Sequence, residues 1–367
     1  MEASAIIQSA VAPALVSACL EHFSAVATIS HDEETGAGVA VSRFGTVRMQ
    51  ASPDGLSVDA ESEDAIRLSY LKLIVAEYFL THHAQEVGPV RWSGETAQQL
   101  PAFFRPMTVV SARQLTPHMR RLRLRGEGLD IFEDNGLHVR LLFAPSGRAP
   151  IWPSLGEDGR LIWPTGPDRL LARVYTLRSV DKARGEVEVD FVLHGDAHQD
   201  DAHEGGPHSP GNAFGAEAVA GDVVGMFAPG GDEIPDAGKL LLFGDDTALP
   251  AIARILEKLK PDARARVFAE IDGPEDHYDL PTGSNIEINW LYRNGREPGT
   301  AALLTEALPA VQADAQDEDA YIWVGCEFND FKDIRRTMRS GWKIPRERHL
   351  VVAYWRRGSA GDDARQE

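Results

Sequence analysis

The sequence predicts a multidomain α+β chain: a small α+β domain over 1–95, a six-stranded antiparallel β-barrel over 102–235, and an α/β domain with a parallel sheet over 236–358. Three observations carry that prediction. The chain has 367 residues, room for two or three domains at roughly 100–200 residues each. Its middle third holds short period-2 segments separated by turns and long loops, the mark of a closed antiparallel architecture. Its last third alternates apolar runs of strand length with helical patterns, which calls for crossovers and a parallel sheet.

The elements follow in order. A helix is expected over about 4–22, where Ile6, Ile7, Val11, Leu15 and Leu20 suit an amphipathic spacing and Pro13 introduces a kink. Strands at 45–50 and 55–58 flank the turn Pro53-Asp54-Gly55. A second helix over 64–83 sets Ile66, Tyr70, Leu73, Ile74 and Leu80 on one face, with Glu77 as the exception. A strand at 88–92 would close the sheet, and polar 93–101 is the linker. The barrel strands are expected at 107–112, 121–125, 137–143, 171–177, 186–193 and 223–228; Leu122 and Leu124 alternate there with Arg121, Arg123 and Arg125. The last domain reads as strand 240–244, helix 248–259, strands 267–271 and 286–291, helix 301–311, strand 321–325, helix 331–338 and strand 350–355. A loose polar tail, 359–367, ends the chain.

Composition narrows the function. The hydrophobic share is 43% and the charged share 25%, ordinary for a globular protein. A formal net charge of -19 argues against nucleic acid as a partner, because a phosphate backbone needs a basic surface. Cys19 and Cys326 form neither a disulfide framework nor a CxxC site, so a reducing cytoplasm is expected. Glu2 stands where a signal peptide needs basic residues, and no run approaches the ~18–20 apolar residues of a membrane span. No membrane insertion is expected, and the protein is expected to be a monomer.

Four segments carry chemistry. Arg173-Val174-Tyr175-Thr176-Leu177-Arg178 lies on a barrel strand, with Arg173, Tyr175 and Leu177 on one side. An Arg offers a fork for a pyrophosphate, a Tyr a ring for stacking, and a Thr a hydroxyl for a ring nitrogen. An ordinary half-buried strand with snorkelling arginines would look the same. Asp190–Asp196 runs from a strand into a loop, and Gly205-Gly206-Pro207-His208-Ser209 can bring backbone N–H groups close to an anion. His194, His198, His203 and His208 lie there beside Asp196, Asp200 and Asp201, but their spacing matches no closed metal site and reads as a solvated loop. Leu241–Gly244 leads through Asp245-Asp246-Thr247-Ala248 into a helix with Pro250 in its first turn. That is the carboxyl end of a parallel strand, where ligands gather, although no GxGxxG is present. Tyr354-Trp355-Arg356-Arg357-Gly358 ends the last strand with two aromatics and two arginines.

Together these segments resemble the siderophore-interacting protein family, a branch of the ferredoxin-reductase-like flavoenzymes. The family's RxYTxR is met by Arg173, Tyr175, Thr176 and Arg178, its DFVLHGD by Asp190–Asp196, and its YWRxG by Tyr354–Gly358. Its GD(E)TALPAI is met by Gly244–Ile252, with Asp246 for the usual Glu. The resemblance spans roughly 102–358 and implies an FAD-binding barrel followed by a nicotinamide-binding domain. It implies that Arg173 holds FAD phosphates, that Tyr175 packs on the isoalloxazine and that Thr176 bonds near the reactive nitrogen. Arg178 completes the motif. Asp190, Phe191, Val192, Leu193, His194 and Asp196, with Gly206, Pro207 and Ser209, would line the rest of the FAD. Asp246, Thr247 and Ala248 would face the nicotinamide, and Tyr354 and Trp355 would close the flavin pocket. The turn at Gly206–Ser209 departs from the family's GPAS, with Pro210-Gly211-Asn212 reading as a small insertion. Residues 1–95 resemble a small domain of unknown function found with these reductases.

The implied activity is electron transfer from NADPH or NADH through FAD to a ferric siderophore, releasing Fe(II). Arg140 and Arg356 are the candidates for a basic mouth that receives the chelate. Donor preference is expected to lean to NADPH through Arg293 or Arg296, although Glu270 and Asp272 could instead favour NADH. The alternatives are an FAD reductase for a protein acceptor, which the acidic chain supports little, and a non-catalytic siderophore- or flavin-binding protein.

Overall fold

The structure, a computed structural model, describes residues 1–93, 100–132, 136–193, 210–230 and 234–359. Contacts divide the chain into two compact units, Met1–Phe104 with Pro145–Arg169, and Arg105–Ala144 with Leu170–Glu367.

The first unit is built on a five-stranded sheet from β1 (Glu2–Gln8), β2 (Thr28–Asp32), β3 (Ala37–Ser42), β4 (Gly45–Ser52) and β5 (Gly55–Glu61), in the order β1-β5-β4-β3-β2. Helices α1 (Ala12–Phe23) and α2 (Ala65–His82) complete it. The helix expected over 4–22 therefore begins only at Ala12. Its first part is a strand, because Ala3, Ala5 and Ile7 are buried while Glu2, Ser4, Ile6 and Gln8 face outward at period 2. Pro13 sits in the first turn of α1, where no N–H is needed, and does not kink it. The segment 88–92 contributes only an isolated bridge, Ala5 to Trp92. In α2, Asp64 caps the helix by accepting from the N–H groups of Ile66 and Arg67. The buried face of α2 carries Leu68, Leu71, Val75, Ala76 and Phe79, whereas Leu73, Ile74 and Leu80 are half-buried. The helix is apolar on two sides, and the sequence reading chose the less buried one.

The second unit opens with β6 (Phe104–Thr116), β7 (Met119–Arg125) and β8 (His138–Phe143). An arm, Pro145–Arg169, then packs with the first unit and carries the short hairpin β9 (Ser154–Leu155) and β10 (Leu161–Ile162). The chain returns as β11 (Leu171–Asp181), β12 (Glu186–Val192), helix α3 (Pro210–Glu217) and β13 (Val223–Gly230). The six long strands close a barrel in the order β11-β12-β7-β6-β13-β8, as the alternation predicts. Its core is Leu122, Leu124, Val139, Leu141, Val187, Val189 and Phe191.

The remainder is β14 (Lys239–Gly244), α4 (Leu249–Glu257), β15 (Arg264–Ile271), β16 (Ile286–Tyr292), α5 (Leu303–Ala307), α6 (Gln312–Ala315), β17 (Ala320–Glu327), α7 (Phe328–Arg336) and β18 (His349–Trp355). Its five strands are all parallel, in the order β16-β15-β14-β17-β18. β14 runs through the centre, buried on both faces, so its sequence is uniformly apolar. Buried Arg254 of α4 donates to the carbonyls of Leu177 (2.9 Å) and Gly136 (3.3 Å), which ties the helix to the barrel. No helix among the described residues is long and apolar enough to cross a membrane.

Candidate functional site

The site begins with a gap in the barrel. Strand β11 pairs with β8 from Leu171 to Thr176, but its pairing with β12 starts only at Leu177. The β12 edge of Arg173–Thr176 is therefore open, and a cleft of about 150 Å³ lies there. Arg173, Val174, Tyr175 and Thr176 line one side, Asp190 and Val192 the other. The Tyr175 ring leans on Phe191, centroids 4.4 Å apart, and burial pushes its phenol well above the usual range. A β-carbon on Gly211, near the start of α3, would stand 1.9 Å from the Tyr175 hydroxyl. Only glycine lets the helix start meet that ring.

The α/β half supplies the opposite wall: Thr247 from the turn after β14, and Tyr354 and Trp355 from the end of β18. These are carboxyl ends of two strands of the parallel sheet, with β17 between them, the usual ligand edge of such a sheet. His138 joins the two halves. Its Nδ1 is 3.4 Å from Thr176 Oγ1, its cross-strand neighbour, and its Nε2 is 2.9 Å from the Tyr354 hydroxyl. The Trp355 indole N–H donates to Asp245 Oδ2 at 2.8 Å, and Asp245 also caps the turn by accepting from the Thr247 N–H at 3.0 Å.

Behind this wall lies a buried charge cluster. Arg293 is only 3% exposed, with Nη2 2.7 Å from Asp246 Oδ2 and Nη1 3.6 Å from Glu270. Burial pushes Asp246 up to about 6 against the pull of Arg293. Burial and nearby Asp245 push Glu270 up to about 8. Arg293 Nε and Nη1 and Glu270 Oε2 find no hydrogen-bond partner among the described residues.

The expected site residues divide three ways. Arg173, Tyr175, Thr176, Asp190, Val192, Thr247, Tyr354 and Trp355 meet at the cleft. Phe191 supports Tyr175 from the core, and Asp246 and Ala248 are buried in the turn after β14. Arg178 is outside the cleft lining: it pairs with Glu257 at 2.7 Å and donates to the Tyr278 hydroxyl at 3.1 Å. Asp190 likewise accepts a two-pronged bond from Arg121, at 2.6 and 2.7 Å, and one from Tyr278. Leu193 donates its N–H to the His118 carbonyl at 2.8 Å. Arg140 and Arg356 are exposed, outside the cleft lining, with Arg356 over the Phe328 ring. His194, Asp196, Gly206, Pro207 and Ser209 lie outside the described residues.

One expectation is corrected. Arg293 is not a loop arginine open to a 2′-phosphate, because it is buried and committed to Asp246. Arg296 is exposed, with its Nε on the Arg293 carbonyl at 3.1 Å. The sequence reading missed His138 and the meeting of Gly211 with Tyr175. A His heading a strand that is apolar apart from Arg140 was the available signal for the first.

The residues fit a flavin. An open strand edge can take hydrogen bonds, a tyrosine ring and two further aromatics border a narrow slot, and the Arg173 guanidinium at its lining can pair with an anion.

Comparison with known proteins agrees. The model of the siderophore-interacting FAD-binding domain matches residues 108–233, and the siderophore-interacting protein model matches 237–358. A siderophore utilization protein from T. fusca is 31% identical, with TM-score 0.56, covering 74% of this chain and 99% of that one. The siderophore-interacting protein SipS from Aeromonas hydrophila is 26% identical, with TM-score 0.54, covering 70% and 92%. Ferric vibriobactin reductase from Vibrio cholerae is 29% identical over 69% of this chain and 90% of its own. An NADPH-dependent ferric-chelate reductase from Escherichia coli is 29% identical over 69% and 92%. The chain belongs to the siderophore-interacting protein family.

Proposed function

We infer that the protein is an FAD-dependent reductase that moves electrons from NAD(P)H to the iron of a ferric siderophore, releasing Fe(II). The observation that carries this is the open edge of β11, where Arg173, Tyr175 and Thr176 face the aromatic end of β18 across a slot. The names of the Vibrio cholerae and Escherichia coli relatives support the substrate class and, for the latter, NADPH.

We assign 102–235 to flavin binding and 236–358 to the nicotinamide donor. The chemistry supplied by bound FAD is the conversion of a two-electron hydride donor into single electrons for Fe(III). Arg173 offers its guanidinium to the phosphates, and Gly211 at the start of α3 leaves room for the Tyr175 hydroxyl. Tyr175 presents its ring, and Thr176 holds a hydroxyl toward the ring nitrogen that gains and loses a proton. Tyr354 and Trp355 shield the slot from water; His138 and Asp245 fix their orientation. Asp246–Ala248 mark the sheet edge where the nicotinamide enters. Arg178 and Asp190 act as struts between the barrel and the α/β sheet, through Tyr278. Arg140 and Arg356 are exposed, with charge available to attract an anionic chelate, and Arg296 remains the candidate for a donor 2′-phosphate. We place the protein in a reducing cytoplasm as a monomer, the two cysteines being buried and free.

The test is an anaerobic mix of FAD-loaded protein, NADPH, a panel of ferric siderophores and a ferrous-specific chelator. Flavin bleaching by NADPH followed by reoxidation and Fe(II) capture is expected. Bleaching with no reoxidation by any ferric chelate would point instead to a protein acceptor.

A further inference from the structure

We propose that the first compact unit carries a divalent transition-metal site, built on His22 and His82, that receives the ferrous product. The ferrous cargo rests on the reductase reading; the site itself does not.

A cleft of about 1210 Å³ lies in this unit, between α2 and the arm 145–169. Nothing in the electron-transfer site uses it. One wall is the second apolar side of α2, with Leu73 and Ile74. At one place the wall changes character. His22, in the last turn of α1, and His82, in the last turn of α2, both line the cleft and are exposed. Their ring centroids are 5.4 Å apart, tilted by 48°. Tyr78 braces both rings, at 4.8 Å from His22 and 5.4 Å from His82. Neither imidazole hydrogen-bonds another group among the described residues.

Two imidazoles sharing one ion at about 2.0–2.1 Å each hold their nitrogens roughly 3.4 Å apart, which rings at this separation reach by small χ changes. The surroundings favour a cation. Both histidines stand at helix C-termini, the negative ends of two helix dipoles. The cleft also carries three carboxylates against two guanidiniums. Glu157 pairs with Arg91 at 3.1 Å and Asp158 with Arg160 at 2.8 Å. Glu77 lies 4.0 Å from that same Arg160 and accepts from the Thr81 hydroxyl at 3.1 Å. The three carboxylates against two guanidiniums leave the cleft acidic overall.

Ligand chemistry then selects the oxidation state. Imidazole nitrogen suits Fe(II) and its divalent neighbours, whereas hard Fe(III) stays with anionic siderophore oxygens. A two-imidazole site on a reductase therefore takes the product and leaves the substrate.

The experiment uses the full-length, FAD-loaded, metal-stripped protein under anaerobic conditions. It is titrated with cobalt(II), read by visible absorption, and with Fe(II), read by calorimetry. One equivalent of each is expected to bind. His22→Ala or His82→Ala should weaken cobalt about tenfold or more, and the double variant should lose it. His22→Asn with His82→Asn, which keeps size and polarity at two exposed positions, should behave as the double alanine variant. His31→Ala, outside the cleft, should bind as wild type. Wild-type cobalt affinity in either double variant, or no stoichiometric binding in the wild type, overturns the site. With a ferrous chelator in excess, both double variants should reduce ferric siderophore at the wild-type rate. Failure of the wild type itself to reduce any ferric siderophore would overturn the reductase reading and the ferrous cargo, while the cobalt titration still decides the site.

Discussion

The two walls of the slot handle charge in opposite ways. On the barrel side Arg173 donates to the neighbouring Ala172 carbonyl, at 2.7 Å, and has no ion-pair partner among the described residues; it lies half-buried at the cleft. On the sheet side Arg293 is buried, with Asp246 and Glu270 as its partners. Both arginines follow or occupy strand ends near the slot, and from sequence both look like anion ligands. The difference teaches that an arginine binds a ligand only where the fold leaves it unspent. In the proposed reading Arg173 is left for the cofactor, whereas Arg293 is committed to buried carboxylates.

Substitutions can break that comparison. Arg293→Ala strips the counter-charge from buried carboxylates and should destabilise the fold by about 3–5 kcal/mol. Chemical unfolding midpoints would show it, with activity on NADPH and NADH falling together; selective loss of NADPH turnover in a fully stable variant would return Arg293 to the phosphate. Arg173→Ala should leave stability almost unchanged and weaken FAD binding by roughly 1.5–3 kcal/mol, the scale of a charge-assisted hydrogen bond. Equilibrium dialysis of FAD would measure it. Tyr175→Ala should retain partial binding with a changed flavin spectrum, losing about 0.5–1.5 kcal/mol beyond buried area.

The smallest effect is a pH dependence. Glu270 is pushed up to about 8 by burial, so between its ordinary value of 4.5 and about 8 the folded state holds a proton that the unfolded chain releases. Its contribution to stability therefore falls as pH rises through that window. Glu270→Gln removes the loss and should gain stability at pH 8, the gain shrinking toward pH 5. Thermal unfolding of both proteins across that range is the check; a gain independent of pH would contradict the assignment.

What was legible in the sequence follows the range of the forces involved. The barrel and the parallel sheet were readable because period-2 alternation and strand–helix alternation are local patterns, as at Leu122 and Leu124. The start of the chain was misread because Ala3 and Ala5 are small, while exposed Ile6 imitates a helical apolar position. Strands β2 and β3 were missed; their burial alternates only weakly. The site was legible as motifs but not as partners. Asp246 after β14 reaches Arg293 after β16 across the end of β15, Arg178 is claimed by Glu257, and His138 by Tyr354, and no local pattern reports such pairs. The arm 145–169 read as barrel loop because its packing surface is supplied from far upstream, where Gly159 meets Trp92 and Trp152 meets Phe104. A truncation at residue 95 would strip the arm of part of that surface.

The central claim is that the open edge of β11 is the FAD site and that Arg173 reads its phosphates. The most direct measurement is a fluorescence titration of flavin-free protein with FAD, FMN and riboflavin, in wild type and in Arg173→Ala. The account predicts one FAD per chain, bound more tightly than FMN or riboflavin, and an Arg173→Ala penalty of about ten- to a hundredfold on FAD with riboflavin almost unaffected. Equal losses for FAD and riboflavin, or wild-type FAD affinity in Arg173→Ala, would contradict it.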